Sequence, residues 1–167
     1  TKRCLIVVAG GAYSTNIQAP LKRRFSIQKL YLLDQALMCD CLRTCNLVRP
    51  ATPCVRVDSL FLDEIIESSF KEAGSNLERI VVVNSATAAL PPVFIQQTIK
   101  LLKKQDIAIG PSTDGSVYLC GINLACAHQL KNISLSSLSS CNQIIHRAVF
   151  CRSKYVILPA WNTIHTI

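Results

Sequence analysis

Asp114 follows a Gly110-Pro111 step, precedes Gly115, and stands just ahead of the apolar run SVYLCGIN at 116–123. A carboxylate at a strand edge, over the carboxyl ends of a parallel sheet, lies where ligands of open α/β proteins bind. A plain Asp-Gly turn accounts for the same residues through backbone geometry alone. A second candidate lies near the amino terminus. Gly10-Gly11 follow the run CLIVVA (4–9), and the loop closes on Pro20-Leu21-Lys22-Arg23-Arg24. Glycines after a first strand let backbone N–H groups approach phosphate, and Lys22, Arg23 and Arg24 would supply charge. Neither the G-x-G-x-x-G fingerprint nor a Walker A ending is present, so a structural turn with a basic helix start competes equally. His128, His146 and His165 have no partner at metal-ligand spacing.

Nine cysteines, at 4, 39, 41, 45, 54, 120, 126, 141 and 151, contain no Cys-x-x-Cys pair. Zinc-ribbon and thioredoxin signatures are therefore absent. Cys41 and Cys45 share a helix face while Cys39 points elsewhere, and Cys4, Cys120 and Cys151 sit in or beside apolar segments. In such places a reduced thiol packs as a small hydrophobe. Reduced structural thiols imply a reducing compartment, not secretion, and leave the Asn132-Ile133-Ser134 sequon unglycosylated.

The elements that must position these residues follow from periodicity. CLIVVA (4–9) and RIVVVN (79–84) are continuous β-rich runs, predicted as buried strands. DIAIG (106–110), SVYLCGIN (116–123) and YVIL (155–158) are three more. Ser26 is an N-cap candidate for a helix to about Cys45, with Ile27, Leu30, Leu33, Leu37 and Cys41 on one face. A second helix is predicted over 59–73, with Leu62, Ile65, Ile66, Ser69 and Phe70 inward and Gly74 as its stop. Pro91-Pro92 open a third, through Lys104, and residues 134–149 are periodic enough for a fourth. Residues 46–58, with Pro50 and Pro53, are expected as a strand remnant and turn. Alternating strands and helices predict one α/β domain over 1–167 with a mainly parallel sheet. About six residues separate the third and fourth strands, too few for a parallel crossover, so that pair is expected to be antiparallel or the fourth strand offset.

Length and composition bound the partners. At 167 residues, 50% apolar and 17% charged, the chain exceeds what disorder allows and has no apolar run of the ~18–20 residues a membrane helix needs. The net charge of +8 is concentrated at the ends: residues 1–33 and 115–167 carry basic residues and no acid. Such ends suit an acidic protein, rRNA or anionic lipid, or are simply a solvated rim. No aromatic residues interleave with them as a single-strand stacking platform requires. The start at Thr1, the basic ends and the unpaired thiols together predict an imported protein of the mitochondrial matrix, in preference to the cytoplasm.

Residues 79–122, with VVVNSATAALPP and KKQDIAIGPSTDGSVYLCGI, resemble a bacterial family of GT-A-like, nucleotide-diphospho-sugar transferase-like domains found with radical-SAM, selenium and arsenosugar gene clusters. Gly110-Pro111, Asp114-Gly115, Tyr118, Leu119 and Gly121 match at the family spacing. The resemblance implies a single GT-A-like three-layer sandwich, mostly parallel with an antiparallel strand pair. It implies that Lys22 and Arg24 face a diphosphate, and that a nucleotide-sugar with Mg or Mn is the cofactor of any active member. The family's metal-holding acid after the central strand falls on Ala86, and its closing Asp-x-Asp falls on Thr163-Ile164-His165, or on Asn162-Thr163-Ile164 with a one-residue slip, with no carboxylate either way. Alanine offers a hard cation no side-chain oxygen, which leaves Asp114 without its companions. The chain is thus identified as a degenerate member, with no catalytic residue and no metal ligand. The expected function is a non-catalytic accessory subunit of a large multisubunit assembly. Two alternatives stand beside it: an active nucleotide-sugar-dependent glycosyltransferase using Asp114, and an RNA-contacting protein of an organellar ribosome.

Overall fold

The computed structural model describes residues 3–10, 25–50 and 52–164. Strand β1 (Arg3–Ala9) leads through α1 (Ile27–Asn46) to β2 (Cys54–Val57), and α2 (Leu62–Ala73) carries the chain to β3 (Leu77–Asn84). Helix α3 (Pro92–Leu101) then precedes a hairpin of β4 (Ile107–Pro111) and β5 (Val117–Asn123). A 3-10 turn at Leu124–Leu130, helix α4 (Ser140–Phe150) and strand β6 (Tyr155–Ile157) complete the described elements. The six strands form one sheet in the order β2-β1-β3-β5-β4-β6. The pairs β1–β2, β1–β3 and β4–β6 are parallel, and β5 runs antiparallel to both β3 and β4.

The continuous apolar runs of β1 and β3 follow from burial on both faces, as parallel sheets require. Because successive side chains alternate, Leu5, Val7, Ile80 and Val82 pack with Leu62 and Ile65 of α2 and Ile144 of α4. Ile6, Val8, Val81 and Val83 point the other way, onto Met38 and Cys41 of α1 and Ile95 of α3. The result is three layers, with α1 and α3 on one side of the sheet and α2 and α4 on the other. Full burial of one such Ile or Val stabilises the fold by about 1.5–3 kcal/mol.

The helix ends follow local chemistry. Ser26 accepts the Lys29 N–H at 3.4 Å at the start of α1, an orphan donor that the first turn would otherwise leave unmet. Gly74 stops α2, donating its N–H to the Phe70 carbonyl at 2.9 Å.

The strand expected within residues 46–58 is β2, which pairs with β1 from Ile6↔Cys54 to Ala9↔Val57. Other expectations are corrected. Helix α2 begins at Leu62, because the Leu62 N–H is drawn to the Ile133 carbonyl at 2.9 Å and Phe61 bridges to Ser134. Phe70 is exposed, on the solvent edge of α2. Helix α3 ends at Leu101, three residues short of Lys104. The helix expected over 134–149 starts at Ser140, and serines 134, 136, 137 and 139 spend their hydroxyls on local bonds to one another. Serine competes with the helix in this way wherever it bonds its neighbours. Cys151 is exposed just beyond α4.

Candidate functional site

The chain leaves β1 toward β2 and leaves β3 toward β4, in opposite directions along the sheet. Their carboxyl ends therefore stand side by side where strand order reverses, the place where open α/β sheets carry a ligand crevice. Gly10 forms one wall and donates its N–H to the Val57 carbonyl at 3.0 Å. A Cβ there would lie 2.5 Å from Met38 Cε and 2.8 Å from Ser85 Oγ, so glycine permits the close approach of the two strand ends. Lys22, Arg23 and Arg24, the phosphate-binding candidates, lie outside the described residues.

The opposite wall is the loop after β3. Asn84, fully buried, accepts the Ala86 N–H on Oδ1 at 3.0 Å and donates Nδ2 to the Val117 carbonyl at 3.3 Å. From α1, the Cys41 thiol reaches the Thr87 carbonyl at 3.2 Å, and Asp40 accepts the Ala89 N–H at 3.1 Å. Ala89 has a φ of 51°, a left-handed conformation rarely taken by a residue with a side chain. Asp40 thus holds the loop where its own sequence would not. Burial pushes the Cys41 thiol up to about 12, with smaller contributions from Asp40 and Cys54. It is a structural group and not a nucleophile.

Asp114 lies at the tip of the β4–β5 hairpin, exposed. The Ser112 carbonyl accepts the Gly115 N–H at 3.1 Å, and the Ser112 N–H reaches the Ser116 carbonyl at 2.8 Å. With Gly115 at φ 90°, the loop is a tight turn closed by one left-handed residue. The Asp114 Oδ1 atom accepts from the Ser116 N–H at 2.9 Å and from its hydroxyl at 2.6 Å.

Between the two walls runs a strap, residues 158–164. Leu158 and Trp161 donate their N–H groups to the Ile109 and Pro111 carbonyls, and the Ile164 N–H reaches the Ala86 carbonyl at 2.7 Å. The Trp161 indole donates to the Ala88 carbonyl at 3.2 Å and packs on Phe94 at 5.4 Å between ring centroids. Phe94 meets the Tyr118 ring edge-on at 6.1 Å, and the Tyr118 hydroxyl donates to the Pro159 carbonyl at 2.9 Å. Thr163 joins the hydroxyls of Ser112 and Ser116 at 2.8 and 3.3 Å. Sequence reasoning found Asp114 and the closing segment, but not the strap's contacts with Ala86, Ala88 and Ser112. No local pattern signals hydrogen bonds between residues fifty or more positions apart.

The resemblance implies a divalent cation on a nucleotide diphosphate, and the donor set here does not fit one. Ala86 brings no side-chain oxygen, its N–H is held by Asn84, and its carbonyl already accepts from Ile164. Among the described residues no group of three His, Cys, Asp or Glu side chains could hold a metal ion. Hard cations take several oxygen ligands, and the carboxylates placed at this end, Asp40 and Asp114, are engaged by the Ala89 N–H and by Ser116.

A mixed six-stranded sheet with helices on both faces, in the order β2-β1-β3-β5-β4-β6, is the fold of nucleotide-diphospho-sugar transferase-like, GT-A-like proteins. A protein from Desulfovibrio desulfuricans G20 designated a nucleotide-diphospho-sugar transferase has a similar structure, with a TM-score of 0.78 at 17% identity over 99% of this chain and 84% of that one. The chain belongs to the family described as uncharacterized protein conserved in bacteria (DUF2064), whose model matches residues 26–137. Further similar structures are a CMP:2-keto-3-deoxy-manno-octonic acid synthetase complexed with CTP (TM-score 0.58, 9% identity, 98% of this chain and 93% of that one) and the 4-diphosphocytidyl-2C-methyl-D-erythritol synthase of Anaerococcus prevotii DSM 20548 (0.53, 10%, 99% and 93%). These likenesses establish the fold. No curated protein matches the chain.

Proposed function

We propose that this chain is a degenerate, non-catalytic transferase-like domain that serves as an accessory subunit of a larger assembly. The observation that carries the reading is Ala86. At the end of the central strand, where the resemblance places the metal-holding acid, the side chain is a methyl group and both backbone polar groups are engaged. Without a cation, the charge that builds on a leaving diphosphate would lack its main stabiliser. The strap reinforces the same view, because Thr163 fastens to Ser112 and Ser116 where the family's closing acids would stand.

The partner side of the proposal rests on the surface and on charge. Phe150 is 81% exposed, Val149 59% and Leu138 57%. Exposed apolar side chains of this size suit a protein interface better than a solitary domain. Basic ends would dock on acidic subunits, rRNA or anionic lipid. Location in the mitochondrial matrix, and a scaffold drawn from a family found with radical-SAM, selenium and arsenosugar gene clusters, belong to the same proposal. Among the described residues no helix is long and apolar enough to cross a membrane. Native mass determination of endogenous material tests the reading. A stable assembly well above the 18.4 kDa of the chain is expected, and an isolated monomer contradicts it.

A second reading is favoured by one observation, the exposed carboxylate of Asp114 at the carboxyl end of the sheet. In that reading Asp114 acts in an active nucleotide-sugar-dependent transferase, with Lys22 and Arg24 on the diphosphate and Mg or Mn bound with it. The two readings part on metal dependence.

A further inference from the structure

The opposite end of the sheet, at the amino termini of β1 and β3, holds a cavity of about 960 Å³. Arg3, Arg49, Arg79, Lys100 and Lys103 line it, with Glu72 as its one acid among the described lining residues. These cations come from four separate places: the start of β1, the turn before β2, the start of β3 and the end of α3. The fold therefore gathers charge that is dispersed in sequence. It lies roughly 15–20 Å from Asn84, judged from the rise per residue along β3.

Arg3 and Arg49 are oriented by neutral groups. Arg49 donates Nη1 to the Asn46 and Val48 carbonyls at 2.9 and 3.0 Å, and Arg3 donates to the Ala73 carbonyl at 3.4 Å. Carbonyls fix a guanidinium in place without cancelling its charge. Among the described residues, ion pairs join Arg56 to Asp58 and Lys71 to Glu67, and none takes Arg3, Arg49, Lys100 or Lys103. Arg79 is only 7% exposed beneath the cavity. Its field reaches the wall, where it pulls the Cys4 thiol down against a burial effect that still leaves it at about 11.

We propose that this cavity binds a small organic anion bearing a phosphate or diphosphate group. Planar guanidinium forks pair two-pronged with phosphoryl oxygens, and lysines add point charge. The volume falls within the few hundred to ~1,000 Å³ of small-molecule sites. Leu5, Ile99 and Leu102 offer an apolar wall for the non-ionic part of the ligand. No aromatic side chain lines the cavity among the described residues, which disfavours stacked single-stranded nucleic acid. The site is independent of the proposed function, since it uses neither Asp114 nor Lys22–Arg24.

Titration of the full chain with inorganic pyrophosphate tests it, read by calorimetry and by backbone amide shifts. Binding should move the amides of Cys4, Leu5 and Asn123. The double variant Lys100→Gln/Lys103→Gln, at the exposed end of α3 and in the turn after it, should weaken affinity by about tenfold or more. Lys22→Gln/Arg24→Gln should leave that binding and those shifts in place. The proposal is overturned if pyrophosphate fails to bind, if shifts gather at Gly10 and residues 113–116 instead, or if the lysine variant binds as tightly as the parent.

Discussion

Ser116 gives both of its donors to one oxygen of Asp114, the backbone N–H at 2.9 Å and the hydroxyl at 2.6 Å. The same hydroxyl lies 3.3 Å from Thr163 of the strap, so the hairpin tip and the strap share one polar group. Ser116→Ala removes the hydroxyl while keeping the turn. We expect a loss of about 1–2 kcal/mol, the range for a hydrogen bond to a partly solvated charge. Urea denaturation of the two proteins measures it, and an unchanged midpoint would show the network to be idle.

Gly115 and Gly74 form a matched pair for backbone strain. Both have positive φ, at 90° and 78°. A Cβ on Gly115 would lie 2.2 Å from the Leu138 carbonyl oxygen, whereas one on Gly74 meets nothing within 4 Å. Gly115→Ala should therefore cost about 2–4 kcal/mol and Gly74→Ala only about 1 kcal/mol. Equal losses at both positions would contradict the packing described around the hairpin.

Thiol chemistry should follow burial. Cys39 and Cys151 are exposed, while Cys41, Cys45, Cys120 and Cys126 are buried. Burial is the leading cause that raises Cys4 and Cys126 to about 11 and Cys41 and Cys120 to about 12. A folded-state value above the ordinary one means that the native state holds its proton longer than the unfolded state. Stability from these thiols is complete below pH 9 and is lost as pH climbs from 9 through 12. Tyr118, raised to about 12 by burial, adds to the same decline above pH 10. With a thiol reagent near pH 8, Cys39 and Cys151 should react first and the buried set only as fast as the chain opens.

Much of the scaffold was legible because both faces of the sheet are covered. CLIVVA and RIVVVN could be read as buried strands without knowing their neighbours, and Ser26 marked the start of α1. The hairpin followed from a connection too short for a crossover. Strand β2 was harder, since four residues preceded by two prolines, with Arg56 exposed at the edge, carry little period. The insertion of β5 between β3 and β4 is a tertiary choice that no local pattern encodes. Of the site, the Asp-Gly turn was readable by spacing, and the methyl group at Ala86 through the family resemblance. The Trp161–Ala88 and Ile164–Ala86 bonds, which tie the strap to the loop after β3, were not.

Metal dependence of nucleotide binding bears most directly on the non-catalytic reading. Uridine diphosphate is titrated into the full chain with and without Mn²⁺, beside an Ala86→Asp variant that restores a carboxylate at the end of β3. The account predicts that Mn²⁺ changes the affinity of the parent by less than about twofold, and that Ala86→Asp gains a metal-dependent increase. A strengthening of about tenfold or more in the parent, together with sugar-transfer turnover abolished by Asp114→Asn, would contradict it.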